Sequence, residues 1–284
     1  MTAELERRDS YAPFHPCVPG FDVVRELGSG GMAIVYEAQR GSDAVALKVL
    51  MTASNDELRM RFRLEGELLV SLRHPCLVRG LDYDVTSTAG WIAMEYLSGC
   101  TLEQHVSRAT FTLGERMEVL LDIARAAEFL HDNGVVHRDI KPSNILVLAD
   151  GGARLIDLGI ARFGSLDLTP PGTLTASPYS IAPEEILECG VDHRADVFAL
   201  GVVMHHLLTG EHPWPNENLY ATMYARCVSP ARALMSRQAG LRPLGLRAED
   251  VERLMPVALK ALARDPSDRH QSARDLITAV EDRL

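Results

Sequence analysis

The chain has 284 residues, 46% of them apolar and 24% charged, which is the balance of a soluble globular protein and excludes a disordered or fibrous one. Its 39 acidic side chains against 29 basic ones leave a net charge of −10, which argues against a nucleic-acid partner, since phosphate calls for a basic excess. Five scattered cysteines without C-x-x-C spacing suit neither a disulfide framework nor a zinc site, and no apolar run is long enough to span a bilayer.

Residues 1–20 are polar, contain three prolines and no apolar secretion core, and are expected to form an N-terminal extension. From Phe21 onward, "FDVVREL", "AIVYEAQ" and "AVALKVL" are short β-branched runs divided by the turn signals "GSGGM" and "RGSD", which predicts a three-strand meander. Ser54 or Asn55 can cap the next element, a helix with Leu58, Phe62, Leu64, Leu68, Leu69 and Leu72 at three- and four-residue steps, closed before Pro75. "CLVRGLDYDV" and "WIAMEYL" read as two more strands. After Gly99 the texture turns helical. "LGERMEVLLDIARAAEFLHDNG" is an amphipathic helix with an Asn-Gly stop, and "DVFALGVVMHHLLTG" is apolar nearly all round and therefore buried. Two further helices, within residues 248–265 and 272–284, finish the chain.

Several features carry chemistry. Gly28 and Gly30 sit in a turn between two strands, where glycine lets backbone N–H groups approach phosphate oxygens. The turn has neither the following helix of a dinucleotide site nor the G-K-[ST] ending of a P-loop. Lys48 interrupts an apolar strand, so it needs a partner or a ligand unless the strand lies at an edge and the side chain snorkels. Glu65 and Glu67, on different faces of the following helix, are the available acids. Residues 137–144, "HRDIKPSN", crowd His137, Arg138, Asp139, Lys141 and Asn144 onto one loop. Asp157 before Gly159 reads either as a ligand for a hard cation or as a plain turn. Ala182-Pro183-Glu184 suits a helix start, and Asp196, at the head of the apolar helix, must find hydrogen bonds if buried.

In this order the pieces resemble the eukaryotic-like serine/threonine protein kinase family in its bacterial style, over residues 21–284. The resemblance implies an α+β, bilobal protein-kinase fold: an N-lobe at 21–97, rich in strands with one main helix, and a larger, mostly helical C-lobe at 98–284. It also implies an ATP-dependent transfer of phosphoryl groups to protein serine and threonine hydroxyls. Asp139 would accept or orient the proton of the acceptor hydroxyl, and Lys141 would neutralise charge on the transferred group. Lys48, paired with Glu65, would grip the α- and β-phosphates. Asn144 and Asp157 would hold Mg²⁺, with Mn²⁺ as a substitute. Leu27, Gly28 and Gly30 would cover the nucleotide, with Val35, Ala46 and Leu146 closing on adenine. Met94 would stand behind it, and the backbone at Glu95 and Leu97 would hydrogen-bond it. His137 is expected to pack structurally under Leu158, and Arg269 to hold Glu184.

Arg138 before the catalytic aspartate implies switching by phosphorylation within 157–184, where Ser165, Thr169, Thr173 and Thr175 lie close to Arg162. Thr173 or Thr175 is the expected site, and Ser177 takes the place of a threonine that contacts the catalytic pair. Protein substrates are the expected partners, a homodimer is compatible with the family, and the location expected is cytoplasmic. The chain departs from the pattern at Ala33, Leu158 and Ser180, which puts substrate selection in doubt rather than the nucleotide site. A scaffold that has lost catalysis would lack the equivalents of Lys48, Asp139 or Asp157, and all three are present. A small-molecule phosphotransferase would lack the long segment ending in Ala-Pro-Glu.

Overall fold

The β-branched runs between Asp22 and Leu50 fold, in the computed structural model, into three antiparallel strands, β1 (Asp22–Ser29), β2 (Ala33–Arg40) and β3 (Asp43–Leu50). The structure describes residues 16–52, 55–106, 108, 111–158, 179–215, 218–231 and 244–284. Helix α1 (Asp56–Ser71) follows, with the Asn55 side chain accepting from the N–H groups of Glu57 and Leu58 as the cap. Strands β4 (Gly80–Val85) and β5 (Gly90–Glu95) complete a five-stranded sheet in the order β1-β2-β3-β5-β4. This order makes β3 a central strand, which removes the edge-lysine reading of Lys48.

Three details of this lobe differ from the sequence expectation. Cys76–Arg79, read as the start of a strand, instead runs beside the other lobe: Leu77 bridges Leu155 in parallel, and Val78 N–H donates to the Leu155 carbonyl at 2.9 Å. Leu64, read as part of the apolar stripe of α1, faces solvent, and the buried stripe is carried by Phe62, Glu65, Gly66 and Leu69. Val18, within the expected extension, is buried with Phe21, Val45, Leu47 and Ala93 in a small cluster under the sheet.

The larger part begins with β6 (Gly99–Thr101) and the short α2 (Leu102–His105), then α3 (Leu113–Asp132). A reciprocal cap opens α3: Glu115 N–H donates to Thr112 Oγ1, and Thr112 N–H donates to Glu115 Oε2. Its end is closed by Gly134 at φ 73, a left-handed position that suits glycine. Strand β7 (Ile145–Leu148) pairs with β6 on one side and with β8 (Ala153–Leu155) on the other, in a three-stranded sheet that no periodic signal foretold. Helices α4 (Pro183–Ile186), α5 (Arg194–Thr209), α6 (Leu219–Val228), α7 (Ala248–Ala261) and α8 (Ala273–Glu281) follow. Helix α5 is buried almost throughout, as its all-round apolar sequence requires, and packs against α3 and α7. No helix among the described residues is long and apolar enough to cross a membrane.

Candidate active site

Lys48 is brought inward by the pleat of β3, on the same face as Ala46, and is 6% exposed. Glu65, near the middle of α1 and 1% exposed, meets it with Oε1 2.6 Å from Nζ. Asp157, two residues past β8, reaches the same ammonium through Oδ1 at 2.9 Å. Glu67, the other acid considered as the partner, is exposed. One cation thus joins a strand, a helix and a loop that are distant in sequence.

Burial alone would lower the pKa of Lys48, but the charges of Asp157 and Glu65 outweigh it and the ammonium is held protonated. Burial likewise acts to raise Asp157, yet the attraction of Lys48 prevails and keeps that carboxyl below the usual carboxylate range. Glu65 goes the other way: desolvation lifts it, and Lys48 offsets this only partly. Two carboxylates sharing one ammonium divide in this manner, the more accessible one staying ionised. Asp157, with its side chain 38% exposed, is the anion a hard cation could reach.

The loop 137–144 is organised from beneath. Asp196, fully buried at the head of α5, accepts through Oδ2 from His137 N–H at 2.8 Å and through Oδ1 from Arg138 N–H at 2.7 Å. His131 Nε2 lies 2.8 Å from the same Oδ2. Desolvation raises the Asp196 pKa, but these donors overcome it and hold the acid ionised. Its backbone bonds clamp Arg138 at φ 62, a left-handed conformation that costs a non-glycine residue about 1 kcal/mol. Sequence reasoning required partners for Asp196 but did not identify the loop as the partner. His137 is fully buried, its Nδ1 accepts from Asp139 N–H at 3.1 Å, and burial lowers its pKa, which keeps the ring neutral. The ring is thus a support for Asp139.

On the open side, Asp139 Oδ2 accepts from Lys141 Nζ at 2.7 Å and from Asn144 Nδ2 at 2.9 Å. Asn144 also donates to the Asp139 carbonyl at 3.0 Å. Its amide nitrogen is therefore engaged, which leaves the amide oxygen as the group able to face a cation. Asn144 closes a 3₁₀ turn, Pro142–Asn144, and its carbonyl accepts from Ile156 N–H, the residue before Asp157.

The roof of the site is the β1–β2 turn, where Gly30 N–H donates to the Ala33 carbonyl. A Cβ at Gly28 would meet nothing within 4 Å, one at Gly30 would only touch Ala33 O at 3.7 Å, and neither residue has positive φ. The protein's own packing makes no demand for glycine there; an approaching phosphate would. Ala46 pairs with Met94 across β3–β5, and Val35 pairs with Lys48 across β2–β3. Leu146 on β7 and Leu97 are half-buried, and Leu27 is largely exposed at the rim. Glu95 N–H donates to the Arg79 carbonyl at 3.0 Å, so any contact of its backbone with a ligand falls to its own carbonyl.

Further out, Arg269 NH1 and NH2 donate to the two oxygens of Glu184 at 2.6 Å each, fastening the Ala182-Pro183-Glu184 corner to the segment after α7. Thr173, Thr175 and Ser177, with Ser165, Thr169, Gly159 and Arg162, lie outside the described residues.

The family model for the protein kinase domain matches residues 21–279. A probable serine/threonine-protein kinase PknB of Lactococcus lactis is 30% identical over 268 residues, 92% of this chain and 41% of that protein. PknB of Mycobacterium tuberculosis is 33% identical over 262 residues, covering 88% and 40% respectively. Pkn1 of Myxococcus xanthus is 35% identical over 271 residues, covering 92% and 38%. The chain thus spans about two fifths of the length of these relatives. Among solved structures, the Mycobacterium tuberculosis PknI kinase domain superposes with a TM-score of 0.68 at 29% identity, over 93% of this chain and 96% of that one. Rad53 in complex with AMP-PNP shares the fold at a TM-score of 0.72 and 21% identity, over 92% of this chain and 65% of that one.

Proposed function

The chain belongs to the protein kinase family, in its bacterial serine/threonine branch, and from that premise we propose that it transfers the γ-phosphoryl group of ATP to serine and threonine hydroxyls of proteins. The observation that carries this reading is the Lys48 ammonium held between Glu65 and Asp157, opposite a loop that offers an aspartate, a lysine and an asparagine together.

The division of labour follows from that geometry. Lys48, fixed by Glu65, presents a permanent cation to the α- and β-phosphates. Gly28 and Gly30 let the backbone close over the phosphates, and Leu27, Val35, Ala46, Met94 and Leu146 enclose the base, with the Glu95 carbonyl and Leu97 as its hydrogen-bonding edge. The acceptor hydroxyl gives its proton to Asp139 as its oxygen bonds the γ-phosphorus, and the bond from that phosphorus to the β-phosphate bridging oxygen breaks. Lys141, 2.7 Å from Asp139, balances the charge that gathers on the transferred group. Ionised Asp157 and the amide oxygen of Asn144 fit a magnesium ion, which takes oxygen donors from one or two side chains plus substrate phosphates. That ion, when bound, would neutralise the phosphates and align them.

The same reading extends to the chain's own segment within 157–184, with Thr173 or Thr175 as acceptor and Arg138 as the cation that receives the new phosphate. Transfer of labelled γ-phosphate to an added protein acceptor, with the chain compared to Asp139→Asn, tests it. Label on serine and threonine that the variant loses is the expected result. Equal labelling by both would remove Asp139 from the reaction. Loss of autolabelling when Thr173 and Thr175 are both replaced by alanine, with acceptor labelling reduced, is expected for the switch.

A further inference from the structure

The stretch that leaves α1, the end of β5 and strand β8 border an open cavity of about 330 Å³. None of the residues assigned to phosphotransfer lines it except Glu95. Its walls carry Arg73, Arg79, Arg154 and His74 against that single carboxylate. In a chain of net charge −10, such a concentration of cations needs a reason.

None of the three guanidinium groups forms an ion pair among the described residues, and Arg154 only donates to the Ala153 carbonyl. Glu95 does not neutralise them by direct pairing: its Oε1 accepts from the Arg79 backbone N–H at 2.9 Å. Asp122 and Glu128, the acids nearest His74, are engaged with Arg125 and Arg274 respectively. His74 Nδ1 accepts from Cys76 N–H and its ring stacks on Phe129, so a neutral ring carries its proton on Nε2 as a further donor.

We propose that this cavity binds a phosphate monoester, carried as a phosphoserine or phosphothreonine side chain on a protein segment. A carboxylate is satisfied by one guanidinium fork, whereas three guanidiniums match a doubly charged group with three terminal oxygens. The volume exceeds that of a phosphate alone, and Leu72 and Leu77 supply apolar wall for the methylene or methyl group that bears it. Arg73 and Arg79 belong to the small lobe and Arg154 to the large one, so an occupant would tie the lobes together behind the strand that ends at Glu95.

This inference goes beyond the phosphotransfer reading, and its test involves no catalysis, so either can fail without the other. A fluorescent peptide with a central phosphoserine, and its unphosphorylated twin, are titrated against the Asp139→Asn chain and followed by anisotropy. The phosphopeptide is expected to bind about tenfold tighter or more at low salt, with the preference shrinking as salt rises. Arg79→Ala with Arg154→Ala should abolish the preference while circular dichroism stays unchanged. Should that pair fail to fold, Arg73→Glu, on an exposed residue, should weaken phosphopeptide binding by a similar factor. Displacement of the peptide by free O-phosphoserine at equal concentration would assign the site to small phosphomonoesters, and displacement by peptide alone to proteins; both sustain the phosphate site. Equal binding of the two peptides, or a preference that survives these substitutions, would overturn it.

Discussion

Arg269 and Glu184 face each other through the two terminal guanidinium nitrogens and both carboxylate oxygens at 2.6 Å, in a place where neither side chain reaches bulk water. Arg269 also donates to the carbonyls of Ala263, Arg194 and Arg264, and lies over the Phe198 ring with 4.9 Å to its centroid. Breaking such a pair leaves an uncompensated buried charge. Glu184→Gln is expected to destabilise the large lobe by about 3 kcal/mol or more, read as a fall in the urea midpoint. A loss below about 1 kcal/mol would mean that water reaches the pair.

Glu65→Gln separates geometry from charge. Lys48 keeps Asp157 at 2.9 Å, so the fold is expected to survive, and the amide removes a carboxyl that burial already lifts above its usual range. Phosphotransfer should fall by about 10²-fold in kcat with little change in melting temperature, because the ammonium loses one of its two fixed anchors. An unchanged kcat would remove Glu65 from the positioning of Lys48.

Gly66, beside Glu65, tests how closely α1 must sit on the sheet. A Cβ there would lie 2.7 Å from Tyr83 Cγ and 2.9 Å from Tyr83 Cβ, the stiff base of that side chain. Gly66→Ala adds helix propensity of about 1 kcal/mol, but the forced shift costs about 1–3 kcal/mol. The expected result is lower stability and a lower transfer rate, since any lift of α1 carries Glu65 away from Lys48. Urea titration and initial-rate kinetics on the same sample check both.

Acid sensitivity follows from His206 and His212, whose pKa values burial pushes down from 6.5 to about 4, helped by His205 and by Arg226 respectively. Between pH 6.5 and about 4 the unfolded chain binds protons that the folded chain refuses. Their stabilising contribution is therefore complete above pH 6.5, declines as the pH falls through that window, and levels off below it. Melting temperature measured across this range should drop, and the double variant His206→Gln, His212→Gln should show a shallower slope. An identical slope would assign the acid sensitivity to other groups.

Asp196→Asn should loosen the loop that carries Asp139. The carboxylate accepts from two backbone N–H groups and lies against His131, and an amide can serve only part of that set while holding Arg138 at φ 62. A loss of about 2–4 kcal/mol in urea denaturation and a fall in kcat larger than the change in KM are expected.

How much of this was legible from the residues differs by element. Lys48 in an apolar strand and Asp196 on an apolar helix both announced a need for partners, because a buried charge without one is costly. Finding that Asp196 holds the backbone of 137–138 required the fold, since the two segments lie about sixty positions apart. Strands β6, β7 and β8, of three and four residues, are too short to display a period of two. Cys76–Arg79 continues the strand-like run into β4, yet its partner is Leu155 of the other lobe rather than the sheet it precedes. Gly66 carried no signal in the sequence, and only the approach of Tyr83 gives it a cause.

That junction between Cys76–Val78 and Leu155 has a mechanical consequence. Leu155 N–H donates to the Cys76 carbonyl and its own carbonyl accepts from Val78 N–H, so the trailing end of α1 is pinned to the large lobe, whereas among the described residues no such bond holds its leading end at Asn55. Helix α1 is then a lever with its fulcrum near Leu72. Glu65 lies seven residues out, about 10 Å along the axis, so a tilt of about 20° displaces it by about 3 Å, more than enough to part it from Lys48. Asp157, two residues beyond the same pin, barely shares in that arc. A partner that pushes or pulls on the first turns of α1 would thus open and close the Lys48–Glu65 contact and leave Asp157 in place.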